Sequence, residues 1–459
     1  MRIVLINPYE LGRQPFGLAQ PAAWLQRAGC EVACIDLALE KLKPEVLQDA
    51  DLVAIYLAMH TATRIAAAAL PRIRELAPRA HLCVYGLYAP MNADFFHARG
   101  VATVLGGESE PALLELVERL RHGASPPQTH VALPKIKFLP PARALLPPLA
   151  RYAHLISPDG THKTVGFIEA TRGCKHLCRH CPVVPVYHGQ FRVVPLDIVM
   201  GDVRAQVAAG AQHISFGDPD FFNGPTHAIK IVEAMHAEFP AVSYDATIKI
   251  QHLLDYAELL PTLKRTGCAF ITAAVESIDD RVLAYLDKNH TAADFTRATQ
   301  LLRDIGIALA PTFVPFNPWT TLESYLQLLE RIVALELVES VPAVQLTIRL
   351  LVPKGSYMLD LPAFAPYLQP FDENLLGHPW VHADARVDAL QRELQTAVAD
   401  GEAKNETRAQ QFARVWDIAH RAAGRATPGL PTMLGAPIPR LSEPWYCCAE
   451  PTDQQLAQF

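Results

Sequence analysis

The chain alternates short β-branched runs with helical patterns, and it does so in two separate sets. In residues 1–125, RIVLIN, EVACIDL, DLVAIYLA, AHLCVYG and ATVLGG read as five strands. Between them lie AQPAAWLQRAG, the stretch around EVLQDA, TRIAAAALPRIRELA and MNADFFHARG, and ESEPALLELVERLRHG closes the set. Strands separated by helices are joined by right-handed crossovers. The pattern therefore predicts a doubly wound, Rossmann-like parallel sheet with helices on both faces. A ligand of such a sheet sits at the strands' carboxyl ends, near a switch in strand order. The loops there are 7–12, 57–61, 85–88 and 106–108.

From residue 165 the alternation restarts with TVGFIEA, HISFGD, VSYDATIKI, AFITAAVE, ALAPTFVPF and VQLTIRLL, each followed by a helical or turn-rich stretch. Several units end in glycine (Gly210, Gly267, Gly306), as helices do before turning into the next strand. Six such units predict a partial (β/α)6 barrel of the TIM type, with its chemistry at the C-terminal ends of the strands. Residues 126–164 carry SPPQ and LPPARALLPPLA, which predict an extended connector over the surface. Residues 356–459 form a C-terminal extension: a Pro-, Phe- and Tyr-rich stretch, a polar helical segment and a proline-rich tail. The expected class is α/β, in four parts: 1–125, 126–164, 165–355 and 356–459.

Composition removes several functions. With a net charge of −6 there is no basic footprint for nucleic acid. No apolar run approaches the roughly 18 residues that span a bilayer. The start, MRIVLINPYELG, lacks a basic region followed by an apolar core and cleavage site, so a cytoplasmic protein without a membrane partner is expected. Of nine cysteines, Cys30, Cys34, Cys83 and Cys268 sit singly in apolar surroundings and read as small buried hydrophobes.

The other five carry chemistry. TRGCKHLCRHCP places Cys174, Cys178 and Cys181 at CxxxCxxC spacing, immediately after the first strand of the second set. Three thiolates can hold three corners of a cubane [4Fe–4S] cluster and leave the fourth iron open to a small chelating ligand. The alternative is a structural zinc site that borrows His176 or His180.

This spacing and placement resemble the signature of the radical S-adenosylmethionine (SAM) superfamily over about residues 165–355. The resemblance implies that SAM chelates the open iron and is cleaved reductively, usually to a 5′-deoxyadenosyl radical. It also implies a reductase or flavodoxin-type electron donor. Further positions are compatible with it. Asp218 and Asp220 end the second strand, where the family contacts SAM's amino group. Glu276 and Ser277 end the fourth, with Lys288 following, as in cobalamin-linked members. His180 occupies the place of an adenine-stacking aromatic, and Arg349, on the sixth strand, is a candidate partner for SAM's carboxylate or for an ordinary salt bridge.

A five-stranded domain ahead of such a barrel resembles the cobalamin-binding domain of the B12-dependent radical SAM group. The DxHxxG motif of classical cobalamin domains is absent. The resemblance implies cobalamin near Asn7, Tyr9, Gly12, Tyr85, Gly86, Tyr88 and Gly107, and it favours methyl transfer to a small-molecule substrate. The tail PWYCCAEP resembles a radical SAM (seleno)protein family with a terminal Cys-Cys(or selenocysteine)-Ala-Glu-Pro motif, which points to Cys448 as a reactive thiol and Cys447 as its partner. Other chemistries stay open: a rearrangement, sulfur, selenium or metalloid chemistry, 3-amino-3-carboxypropyl transfer, or a non-catalytic iron–sulfur or metalloid sensor.

Overall fold

A computed structural model describes residues 1–443. Strands β1 (Arg2–Asn7), β2 (Glu31–Asp36), β3 (Leu52–Tyr56), β4 (His81–Tyr85), β5 (Thr103–Gly107) and β6 (Thr129–Ala132) form one parallel sheet in the order β2-β1-β3-β4-β5-β6. β1 to β5 are the five strands expected. Residues such as Leu52, Val53, Ala54 and Ile55 are buried along consecutive positions, because helices cover both faces of the sheet. Strand order reverses between β1 and β3, so the crevice for a ligand opens at their carboxyl ends. The proline-rich connector is not merely draped over the surface: its residues 129–132 add β6 as an exposed edge strand, at a place between prolines where no central strand could form.

The second sheet has the order β14-β13-β12-β11-β8-β7-β15. Its parallel part comprises β8 (His162–Ile168), β11 (His213–Phe216), β12 (Ser243–Thr247), β13 (Cys268–Glu276) and β14 (Ala308–Phe313). β7 (His154–Ile156) and β15 (Arg440–Leu441) extend it antiparallel, and β9 (Thr171–Gly173) pairs with β10 (Phe191–Val193) in a separate ribbon. The sheet curls into a half-barrel around a large apolar core. At the sixth position the chain is held by Phe316 and Arg349, a single parallel bridge, because a 3-10 turn occupies Ala343–Leu346. Gly210, Gly267 and Gly306 all take positive φ after helices, as expected. In the extension, helices Ala385–Ala403 and Arg408–Ala422 pack on helix Leu322–Ala334, and Thr407 starts the second of them with a capping box. Among the described residues no helix is long and apolar enough to cross a membrane.

Candidate active site

β8 and β9 deliver the cysteine loop. Gly173 takes φ +73°, and a Cβ there would lie 2.4 Å from the carbonyl oxygen of Gln190, so only glycine admits this turn. The chain then runs through Cys174, Cys178 and Cys181, whose side chains line one cavity of about 320 Å³. Asn223, beyond the end of β11, accepts the Lys175 backbone N–H at 3.3 Å and lies 3.6 Å from Cys174 Sγ. Lys249, two residues past β12, puts its Nζ 3.7 Å from Cys178 Sγ while 7 % exposed. The loop thus meets positive charge where thiolates would need it.

The end of β13 forms the opposite wall. Glu276 adopts φ +67°, unusual for a residue with a side chain, where the β13–β14 register shifts. Its carboxylate takes Lys288 Nζ at 3.3 Å and His180 Nε2 at 3.1 Å. Burial pushes this carboxyl up, but the Lys288 charge and the His180 hydrogen bond outweigh it and hold the group down at about 2. Lys288 is raised in return: Glu276, with the nearby Cys178 and Cys181, outweighs the cost of its burial. A buried carboxylate, an ammonium and an imidazole therefore meet in one cluster facing the cysteines.

The two aspartates behave differently. Asp220 lines the cavity, contacts His252 Nδ1 at 2.6 Å and His176 Nε2 at 3.6 Å, and accepts the backbone N–H groups of Phe222 and Lys249. Burial raises its pKa, yet the two imidazoles win and hold it well below the carboxylate range. Asp218 does not line the cavity. It accepts the Ala170 N–H at 3.1 Å and the Thr171 hydroxyl, bracing the turn between β8 and β9, and its burial, dominant over those bonds, lifts it to about 7. Ser277 accepts the Asp279 N–H at 3.0 Å and lines a separate, smaller cavity. Arg349 is turned away from the site. It pairs with Asp388 at 2.6 Å and stacks on Trp380 with 3.5 Å to the ring centroid, because the extension supplies both partners.

The front sheet closes the same cavity. Glu10, Leu11 and Arg13 after β1, with Tyr56, Ala58 and Met59 at the end of β3, come from the switch point, and Leu87 and Tyr88 follow β4. An adjoining cavity of about 150 Å³ runs along the carboxyl edge past Gly86 and Gly107. Asn7, Tyr9, Gly12 and Tyr85 line neither of these two cavities. Asn7 bonds Asp36 at 2.9 Å, the Tyr85 hydroxyl donates to the Gly17 carbonyl at 2.8 Å, Gly12 packs on Ala153 and Glu443, and the Tyr9 hydroxyl donates to Glu443. Asn7, Tyr9 and Tyr85 are buried, and Gly12 is partly exposed. Lys249 and Arg13 were not singled out in the sequence, and Glu10 was included only as part of loop 7–12. Lys249 carried a visible signal, its position just past a barrel strand; Glu10 and Arg13 sit in or beside a loop already singled out. Cys447 and Cys448 lie outside the described residues.

Residues 168–329 match the family model of the Radical SAM superfamily. This segment is a radical SAM domain. Such a domain works with a [4Fe–4S] cluster and SAM, and three cavity-lining thiols beside two buried ammoniums are a fitting donor set. In sequence the chain is 26% identical over 330 residues to the hopanoid C-3 methylase of Methylococcus capsulatus, covering 67% of this chain and 62% of the methylase. It is 25% identical over 174 residues to the ribosomal protein uS12 methylthiotransferase RimO of Geobacter sulfurreducens, covering 36% and 38%. It therefore spans less than two thirds of either relative. In fold, it superposes on the cobalamin-dependent SAM radical enzyme OxsB, with aqua-cobalamin bound, at a TM-score of 0.68 and 13% identity over 87% of this chain and 67% of that one. The radical SAM methyltransferase TsrM from Kitasatospora setae, with tryptophan and a SAM analogue bound, gives 0.60 and 18% over 73% and 72%. Both likenesses concern the fold, with the front sheet and the radical SAM domain together.

Proposed function

We propose that the chain is a cobalamin-dependent radical SAM methyltransferase acting on a small molecule, with Cys447 and Cys448 taking part. The observation that carries this is one cavity walled on one side by the switch point of the front sheet and on the other by Cys174, Cys178 and Cys181. In this reading the three cysteines hold the cluster, and cobalamin lies along the carboxyl edge of the front sheet, past Tyr88, Gly86 and Gly107. Gly86 supports a close approach there: at φ +108° it brings bare backbone to the cavity wall, where a Cβ would strike the Tyr56 ring at 2.8 Å. Bound together, these cofactors supply reductive cleavage of SAM and a methyl group.

The chain's own residues provide orientation and charge. Glu276, kept ionised by Lys288 and His180, accepts the hydroxyls or ammonium of SAM. Lys249 and Lys288 balance the thiolates. Leu11, Met59, Leu87, Phe313 and Val314 line the wall and keep water away from the reacting groups. Glu443, the last described residue, is anchored by Tyr9 beside cavity-lining Glu10, and the sequence continues from it to Cys447 and Cys448.

The test is anaerobic reconstitution with iron, sulfide and cobalamin, then reduction, SAM addition and product analysis. Cobalamin retained through desalting, with S-adenosylhomocysteine appearing beside 5′-deoxyadenosine, is the expected result. 5′-Deoxyadenosine alone, with cobalamin washed out, overturns methyl transfer in favour of cobalamin-independent radical chemistry. Cys178→Ala should abolish both the cluster and SAM cleavage.

A further inference from the structure

A smaller cavity, of about 60 Å³, lies beside the main one on the inner side of the half-barrel. The two share Arg13, Thr272, Thr312 and Gln345 in their walls, so they adjoin. The far wall is built by Arg408 and by the last described segment, from Ile438 to Glu443.

The charges in this wall do not balance. Its acids are committed: Asp245 takes His213 Nε2 at 2.9 Å and Ser215 Oγ at 3.2 Å, and Glu443 accepts the Tyr9 hydroxyl. Arg408 and Arg440 form no ion pair among the described residues. Arg408 donates one guanidinium N–H to the Glu339 carbonyl, and among the described residues no carboxylate lies within ion-pair distance of Arg408 or Arg440. Burial, with the Arg440 charge added, outweighs the opposing Glu339 charge and depresses Arg408 to about 10. Two guanidiniums at one small cavity, with no carboxylate at ion-pair distance among the described residues, can be bridged by an oxyanion that accepts from both.

We infer that this cavity is the subsite for an oxyanionic group of the substrate, a carboxylate or a phosphate, held by Arg408 and Arg440. The rest of the substrate runs past Thr272, Thr312 and Gln345 toward the cysteine loop. The inference rests on reading the main cavity as the reaction chamber, and it makes the substrate a small organic acid or phosphate ester.

The test uses full-length protein without cofactors, titrated calorimetrically with inorganic phosphate and, separately, with acetate at constant ionic strength. One of the two should bind saturably, which also identifies the group. Arg440→Gln, at an exposed position with no side-chain partner among the described residues, should weaken that binding about tenfold, the loss of a charge-assisted hydrogen bond. Arg408→Met should weaken it at least as much, and Arg408→Lys should restore part of it. Binding of neither ion, or equal binding by wild type and Arg440→Gln, overturns the subsite. Anion binding that holds while the reconstituted enzyme forms no S-adenosylhomocysteine would retain the subsite and reject methyl transfer.

Discussion

Lys249 directs an ammonium at a cysteine sulfur from inside the protein, where Coulomb interactions are weakly screened. Positive charge there favours the reduced, more negative state of any cluster those thiolates hold, and hydrogen bonds to ligand sulfur act the same way. Lys249→Met should therefore lower the midpoint potential in an EPR-monitored redox titration, with iron content retained, and Lys249→Arg should recover most of it. An unchanged midpoint would leave Lys249 a packing residue. Asp218 makes a prediction in pH. Its pKa is about 7 in the fold against an ordinary value of about 3.9, so between these limits the native state binds more protons than the unfolded chain. Stability then falls as pH rises through this window, by about 1.4 kcal/mol per pH unit for one proton. Asp36, raised to about 6 chiefly by burial, adds to the same slope. Glu276, held at about 2, contributes stability that is present above its ordinary pKa and lost only as pH falls toward 2, so it is silent near neutrality. Asp218→Asn should flatten the urea-stability profile between about pH 5 and pH 7.

The short strand β9 has a load out of proportion to its length. Its Arg172 pairs with Glu108 at 3.0 Å, Glu110 at 2.6 Å and Glu169 at 3.0 Å, tying the end of the front sheet to the residues that precede Cys174. Glu108 and Glu110 are fully buried, so removing their partner leaves uncompensated charge. Arg172→Met should cost about 3–5 kcal/mol, measured as a lower urea midpoint, and the double variant with Glu110→Gln should recover part of it. The main strands were legible because parallel strands buried on both faces read as continuous apolar runs. β6 was not: THVA is half exposed and flanked by prolines, an edge pattern that resembles a loop. The sixth barrel run, VQLTIRLL, has a strand-like composition, yet a 3-10 turn occupies its start and only Arg349 bridges to Phe316. The cysteine loop was legible because its residues are local. Lys249, Glu10 and Arg13 join it only through the convergence of two sheets, which local spacing does not encode; of the two expectations for Arg349, the structure shows the salt bridge, with Asp388 and Trp380 supplied by the extension.

The two sheets present their carboxyl ends to one chamber, and the chain's last described segment returns to its rim. Glu443 is held by Tyr9 and packs on Gly12, both in the loop after β1 that also supplies Glu10 and Leu11 to the chamber wall. Cys448 lies five residues further along, and five residues span at most ~17 Å. If Cys448 acts on substrate as a nucleophile, its loss leaves the groups proposed to bind SAM untouched. Cys448→Ser, which removes the nucleophile and keeps the shape, should leave 5′-deoxyadenosine formation at the wild-type rate and stop formation of the final product. Tyr9→Phe, which releases the anchor and leaves both thiols in place, should slow product formation in the same direction but less completely. Loss of SAM cleavage together with product in Cys448→Ser would assign the tail a structural role, and unchanged product in both variants would remove the thiols from the reaction.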